Sequence, residues 1–320
     1  MYNESLKAKF IEEYTKSMSR YDVCVQAFNA IEPYENDWGA DFCTRTSEEL
    51  APVIEQLVGF RVRSRWQRII IFKKYVSWCI ASGVEGACDG MLRVDNVGLS
   101  KVRSQTIFNP IELQRYLNAI CEPESEQTID NIYRCFYWLA FAGMDEEDIL
   151  KVRCADVDFQ NMVVHFDDDE YEIYRDAIPA FRNAATLTEF VYKHPNYPPD
   201  KRVIRNRAPG NTLIRGIRSA VSVKSLRVEL SRRSKKCIDD GLTEKQLSYY
   251  RVWLSGLFYR VYQGELAGIP VDFSSAAVRF MDGKIYKLDS GRNTPEAKKR
   301  AVMNDYLQDY ERWKAAFPHY

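Results

Sequence analysis

The chain of 320 residues is 46% hydrophobic and 28% charged, which is typical of a folded protein long enough for two domains. No apolar run approaches the ~20 residues that span a bilayer, and the N-terminus lacks the layout of a signal peptide, so we expect a soluble, cytoplasmic protein. Eight Cys without a CxxC pair predict reduced thiols rather than a disulfide framework or a zinc site, and only three His exclude chemistry based on a His cluster.

Charge is balanced overall, with 45 basic and 45 acidic residues, but it is unevenly distributed along the chain. The stretch from Met144 to Asp176 holds twelve acids and three Lys or Arg. The stretch from Lys201 to Lys236 holds twelve bases and one acid, Glu229. A neutral protein with such a basic block can present a positive face to a polyanion, although a solvated surface is the alternative explanation.

The first 95 residues predict a helical domain. Apolar residues recur at helical spacing in SLKAKFIEEYTKSM, in TSEELAPVIEQLVGF with Ser47 as the expected N-cap, and in RSRWQRIIIFKKYVSWCIASG. Glycines and small polar residues follow, and we place a linker at residues 96–105. The remainder, residues 106–320, is the expected second domain.

The second domain predicts more helices around one small sheet. Its first helix is NPIELQRYLNAI, with Asn109 as N-cap and Pro110 at the first helical position. TIDNIYRCFYWLAFAG predicts a buried helix, and the strands MVVHF and YEIYRDAI flank DDDE as a hairpin. AFRNAATLTEFVYKH predicts a helix, DKRVIRNRAPGNTLIRG a basic loop, and four further helices complete the chain. The predicted fold class is therefore mainly α with a small antiparallel β-sheet.

This layout resembles the tyrosine recombinase, or phage integrase, family over nearly the whole chain, with one motif-specific stretch. The family there typically reads Thr-Gly-Leu-Arg-Ile-Ser-Glu-Leu and, a few residues later, Asp-Ile-Asp-Phe. Here residues 142–149 read AGMDEEDI and residues 156–159 read DVDF, without a gap. Asp148 falls at the family's Glu, and Asp145 falls at its first catalytic Arg. The resemblance implies a core-binding domain followed by a domain with the catalytic fold.

The acid at Asp145 is incompatible with the family's chemistry. In the family a Tyr attacks a DNA phosphodiester, and Arg donors stabilise the negative charge of the transition state. One such donor contributes ~10²–10³ in rate. A carboxylate at the same position repels the phosphate. The resemblance therefore implies a degenerate site without catalytic residues.

Other positions of the family's site are also altered. Its His-x-x-Arg pair falls on Ser248 and Arg251, so the Arg is kept and the His is lost. The hairpin that should carry a Lys is rich in acids. Tyr306 and Tyr310 lie near the position of the nucleophile, but they share an apolar helix face with Trp313, and we expect them to pack.

The resemblance implies that both domains contact duplex DNA. Lys contacts mostly position a protein, whereas an Arg or Ser that reaches a base edge specifies sequence. In the first domain, the candidate contacts surround the start of one helix: Arg61, Arg63, Arg65, Arg68, Lys73 and Lys74. In the second domain they are Arg205, Arg207, Arg215, Arg218, Lys224, Arg227, Ser231, Lys235 and Arg251.

The sequence leaves three functions open. The first is a non-catalytic, sequence-specific double-stranded DNA-binding protein, and similar integrase-fold repressors of temperate Bacillus-type phages imply a phage or mobile-element transcriptional regulator. The second is an active but divergent recombinase in which Arg153 or Arg175 replaces the missing Arg. The third is a helical protein-interaction module that uses the acidic DDDEYE hairpin. We expect no cofactor or metal, and we keep a homodimer through the C-terminal helix and a protein or peptide regulator as candidate partners.

Overall fold

A computed structural model of the chain describes residues 1–15, 18–57, 62–94, 98–121, 128–192, 203–216, 221–283 and 294–318. Its helices are α1 (Glu4–Tyr14), α2 (Met18–Trp38), α3 (Ser47–Leu57), α4 (Val62–Ala81), α5 (Gly90–Arg93), α6 (Leu99–Gln105), α7 (Pro110–Ile120), α8 (Asn131–Ala142), α9 (Glu146–Ile149), α10 (Ile178–Thr186), α11 (Val223–Asp239), α12 (Tyr249–Leu266), α13 (Ser274–Gly283) and α14 (Pro295–Ala316). Its strands are β1 (Val157–Asp158), β2 (Val163–Phe166), β3 (Asp169–Glu172), β4 (Glu189–Tyr192) and β5 (Val203–Asn206).

The predicted fold class, mainly α with a small antiparallel sheet, is confirmed. The chain divides into two compact units, one made of Met1–Arg103 with Phe273–Tyr320 and one made of Ser104–Asp272. The boundaries predicted from the sequence, 1–95 and 106–320, stay predictions. The units of the structure differ from them in grouping α13 and α14 with the N-terminal helices.

An aromatic cluster forms the core of the first unit. It joins α1, α2, α4 and the turn after α2, and its ring centroids lie 5.1–6.5 Å apart between Phe10, Phe28, Phe42, Phe72 and Tyr75. These rings are almost completely buried. Aromatic pairs at such distances add to the burial of apolar area, so this cluster accounts for the packing of the N-terminal helices.

A buried ion pair lies beside the aromatic cluster. The Nζ of Lys7 is 2.6 Å from Oε1 of Glu35, and both side chains are inaccessible to solvent. The hydroxyl of Tyr75 donates to Asp41 at 2.7 Å. Burial raises the pKa of Glu35, while Lys7 opposes that change. Removal of either member would leave the other charged and buried, so the pair fixes α1 against α2.

In the first unit, the predicted cap of α3 is wrong, and one helix, α6, was not predicted. Ser47 was expected to cap α3, but Thr46 does so: the N–H of Glu49 donates to its hydroxyl at 3.4 Å, and its own N–H donates to the Glu49 carboxylate at 2.9 Å. This reciprocal pair is a capping box and satisfies two amides, which a cap at Ser47 would not. Helix α6 lies within the predicted linker, where Glu55 accepts from the N–H of Ser100 at 3.0 Å.

The C-terminal helix α14 packs within the first unit, against α4 and α13. The rings of Tyr306 and Tyr310 lie 5.8 and 5.7 Å from that of Phe273, and Tyr310 stacks on Trp313 at 6.0 Å. Tyr306 is 1% exposed and Tyr310 0%. The apolar stripe of α14 is thus covered by its own chain in this structure.

Helix α8 is the centre of the second unit, and α10 and α12 pack against it. The predicted cap of α7 is present, because Oδ1 of Asn109 accepts from the N–H of Glu112 at 2.9 Å. The predicted hairpin is also present: β1, β2 and β3 form an antiparallel sheet in which Phe166 pairs with Asp169. Asp167 in its turn has φ 51°, a left-handed conformation that Asp tolerates.

The predicted helix AFRNAATLTEFVYKH is wrong in its second half. Helix α10 ends at Thr186, and β4 pairs antiparallel with β5, with Phe190 opposite Arg205. Aromatic and β-branched residues from Phe190 to Tyr192 favour a strand when a partner is available. No helix of the described residues is long and apolar enough to cross a membrane.

Candidate nucleic-acid interface

The candidate site is built on the tight turn that ends α8. The N–H groups of Gly143 and Met144 both donate to the carbonyl of Leu139, at 3.1 and 3.0 Å. Gly143 has φ 107°, which an L-residue rarely adopts, so glycine is required here. The chain then turns into an extended residue, Asp145, which precedes the short helix α9.

Helix α12 holds this turn from one side. The hydroxyl of Tyr249 donates to the carbonyl of Met144 at 2.8 Å, and Nε1 of Trp253 donates to the carbonyl of Gly143 at 3.0 Å. One turn further along α12, the backbone approaches still closer. A Cβ at Gly256 would lie 1.8 Å from the carbonyl oxygen of Phe141, so only glycine fits. The position of the acidic segment is thereby fixed relative to α12.

The acidic segment itself lies against the basic helix α11. Glu146 forms a two-point ion pair with Arg227, and one of its contacts joins Nε to Oε2 at 2.9 Å. Glu146 is 20% exposed and Arg227 is 58% exposed. Asp148 pairs with Lys151 at 2.7 Å, and the carbonyl of Asp145 accepts from the N–H of Asp148 at 3.0 Å. The negative charge of Glu146, which follows Asp145, is therefore neutralised by Arg227 of α11.

Ser248 and Arg251, which resemble the family's His-x-x-Arg pair, lie at the start of α12. The hydroxyl of Ser248 caps the helix by accepting from the N–H of Arg251 at 3.4 Å. Nη1 of Arg251 donates to the carbonyl of Gln246 at 2.5 Å. Burial lowers the pKa of Arg251, and the nearby phenols of Tyr116 and Tyr137 partly oppose this. Its guanidinium is partly enclosed by protein.

Helix α11 presents a continuous polar face to solvent. Ser222 and Ser225 form its capping box, with 3.1 and 3.2 Å bonds. Val223, Leu226 and Leu230 are buried on the opposite side. Spacing of three and four residues places the predicted DNA contacts of this helix together on the exposed side: Lys224, Arg227, Ser231 and Lys235.

The only acid within this basic block anchors the helix. Glu229 pairs with Arg232 and Arg233, each at 2.7 Å. These hydrogen bonds, that from Arg232 first, hold the pKa of Glu229 below its usual value. Arg233 also reaches the buried carboxylate of Asp130 at 2.6 Å and the carbonyl of Ile120 at 3.2 Å. Arg233 therefore attaches α11 to the elements beneath it, a role that the sequence did not reveal.

The predicted contacts before α11 lie in different surroundings. Arg205 is exposed on β5, whereas Arg207 is half-buried and donates to the carbonyls of Leu187 and Leu213, at 3.2 and 3.0 Å. Burial, together with the charge of Arg215, lowers the pKa of Arg207 to about 10. Arg215 donates to the carbonyl of Gly210 at 2.6 Å. Arg207 thus ties its loop to α10, and Arg218 lies outside the described residues.

In the first unit, the side-chain interactions of the described residues do not bring the predicted DNA-binding residues together at one place. Nη1 of Arg68 donates to the carbonyl of Leu57, and Nζ of Lys73 donates to that of Leu92 at 3.0 Å. The ammonium of Lys74 lies 4.9 Å from the ring centroid of Tyr14. The remaining three fall outside the described residues, either entirely or by their side chains: Arg61, Arg63 and Arg65.

Fold and site together define a mainly helical protein whose second unit places a basic helix beside an acidic turn. Residues 1–81 match the sequence model of a family described as MrpR, N-terminal core-binding domain. This match confirms the predicted core-binding domain at the start of the chain. A search of curated proteins returned no match.

Two solved structures resemble the chain along most of its length. One is the crystal structure of XerA recombinase, 12% identical, covering 99% of both chains with a TM-score of 0.37. The other is the Tn1549 transposon integrase (aa 82–397) in complex with circular intermediate DNA, 11% identical, covering 93% of this chain and 98% of that chain with a TM-score of 0.33.

Proposed function

We propose that the protein is a non-catalytic, sequence-specific binder of double-stranded DNA that regulates transcription, as a repressor of a phage or other mobile element. The observation that carries the proposal is the exposed basic face of α11 beside an acidic turn where the related enzymes need a guanidinium. The two features act in opposite directions. The basic face attracts a DNA backbone, and the acidic turn prevents cleavage of that backbone.

The basic face has the charge and shape that a major groove requires. No described residue forms an ion pair with Lys224 or Lys235, so both ammonium groups are available to phosphates. Helix α11 has 17 residues and begins at an exposed capping box. The major groove of B-DNA is ~12 Å wide and admits one α-helix. Lys224, Lys235 and, when it leaves Glu146, Arg227 would then contact phosphates and position the helix, and Ser231 would reach a base edge.

The positions that resemble the family's catalytic residues support binding without cleavage. Asp145 would put a carboxylate at the position that resembles the family's first catalytic Arg, and its repulsion of a phosphate would raise the barrier to attack. Ser248 uses its hydroxyl as a helix cap. Tyr306 and Tyr310 are enclosed by the aromatic side chains around α14 and would have to leave that packing to attack a phosphate.

The first experiment is the selection of binding sites from random duplexes with the full chain, followed by fluorescence anisotropy on the selected duplex. With about five phosphate contacts, affinity should fall by about 10²–10³-fold between 50 and 200 mM salt. Failure to enrich any sequence, or an affinity that hardly changes with salt, would remove the proposal. A promoter that overlaps the selected duplex should be transcribed less when the protein is added.

The second experiment separates binding from cleavage. The selected duplex is nicked near its centre, so that a covalent protein–DNA adduct would be trapped. We expect no adduct on a denaturing gel. An adduct that is lost in Tyr306→Phe or Tyr310→Phe would instead establish a divergent recombinase, with Arg153 or Arg175 as the replacement donor to test next.

A further inference from the structure

One exposed residue on α11 is apolar, although the surface around it is polar and mostly basic. Val228 is 62% exposed, and it is the only exposed apolar side chain on this helix, which the structure describes over its whole length. The exposed residues around it carry charges or hydroxyls. It therefore lies within the polar face described above, rather than at its edge with the buried side.

Val228 contributes little to the stability of the helix. A side chain that remains mostly in water gains little from burial. A β-branched residue also has a lower helix propensity than Lys, Ala or Glu, by up to ~0.7 kcal/mol. The packing of α11 is supplied by Leu226 and Leu230, on its buried side. Single exposed apolar residues are common on protein surfaces, so it is the position of Val228 in the middle of the basic face that carries the inference.

The position of Val228 indicates what that contact is. Lys224 and Lys235 lie four residues before it and seven after it, on the same face of α11. When the ends of this face contact phosphates, a side chain in its middle faces the floor of the groove. The apolar group that the major groove presents there is the C5-methyl of thymine. Val has one dominant χ1 rotamer in a helix, so little conformational entropy is lost when it makes that contact.

We propose that Val228 contacts the C5-methyl group of one thymine in the major groove and makes that base pair a determinant of sequence specificity. The inference rests on the proposed DNA-binding function and names one feature of its target. A phosphate contact alone would leave every base pair equivalent. A methyl contact distinguishes thymine from the other three bases and from uracil.

The test removes the methyl group from the DNA base and, separately, the methyl groups of Val228 from the protein. Each thymine of the selected duplex is replaced in turn by deoxyuridine, and affinity is measured with the wild-type chain and with Val228→Ala. One replacement should weaken wild-type binding by about fourfold, the effect of one methyl group removed from water. Val228→Ala should bind the thymine duplex about as weakly and be insensitive to that same replacement, while all other replacements act equally on both proteins.

A matched variant controls for the loss of an exposed apolar group. Leu266 at the end of α12 is 66% exposed, and Leu266→Ala should keep the wild-type response to every deoxyuridine. If no duplex is selected at all, the proposed function fails. If a duplex is selected but no thymine is coupled to Val228, the function stands and this inference is wrong. Loss of binding to a protein partner rather than to DNA in Val228→Ala would also overturn it.

Discussion

The ion pair between Glu146 and Arg227 should limit the affinity of α11 for DNA. Arg227 cannot donate to a phosphate and keep both contacts with Glu146. The substitution Glu146→Gln removes the competing charge while keeping nearly the same side-chain volume. We expect it to release Arg227 and to make DNA binding tighter, whereas most substitutions of interface residues weaken binding.

The size of the effect follows from the exposure of the pair. Arg227 is 58% exposed, so the pair is largely screened and contributes roughly 0–1 kcal/mol to the free state. Removing this competition should therefore raise affinity by about two- to fivefold. One additional phosphate contact should also steepen the slope of log affinity against log salt by about 0.9. The salt slope is the sharper measure, because it counts contacts.

The assay is a salt titration of affinity for the selected duplex by fluorescence anisotropy. Glu147→Gln is the matched control, because it makes the same change in charge one residue away and Glu147 forms no ion pair with a described residue. The control should change affinity less and leave the slope unaltered. In the double variant Glu146→Gln with Arg227→Gln, the gain should disappear. Equal slopes in the wild type and Glu146→Gln would refute the competition.

Three other predictions concern the fold and its titrating groups. Gly256→Ala should lower the free energy of unfolding in urea by more than about 3 kcal/mol, because its Cβ would meet the carbonyl of Phe141, whereas Gly264→Ala in the same helix has room and should raise it by about 0.5–1 kcal/mol. The pKa of Glu229 lies below its usual 4.5, so its contribution to stability is present above that pH and is lost as the pH falls through the lower folded value; thermal melts should show a smaller loss for Glu229→Gln. Burial raises the pKa of Cys121 to about 12, so iodoacetamide should label this thiol, by mass spectrometry, only after unfolding.

The features that could be predicted from the sequence are those with local causes. The cap at Asn109 needs only the three residues that follow it, and the β2–β3 hairpin needs only its own alternation and turn. Strand β4 was missed because its partner β5 begins eleven residues after β4 ends, and the propensity of TEFVY alone did not outweigh the helical start. Helix α6 was missed because a side chain of α3 supports it from 45 residues away.

The same distinction applies to the candidate site. The exposed face of α11 follows from three- and four-residue spacing and could be read directly. The partners of its arginines could not, because Glu146 lies 81 residues before Arg227 and Asp130 lies 103 residues before Arg233. For the same reason, Arg205 and Arg207 were equal candidates in the sequence, although Arg207 is half-buried and Arg205 is exposed.

The altered motif can be explained by what each of its positions touches. Gly143 is required by the turn, and Ile149 and Val157 are buried, so packing accounts for the frame in which this stretch resembles the recombinase motif. The side chains from Asp145 to Asp148 are at least partly exposed and carry none of that packing. Resemblance in this frame therefore reports the fold, and function has to be inferred from the outward-facing positions, which carry acids in this chain.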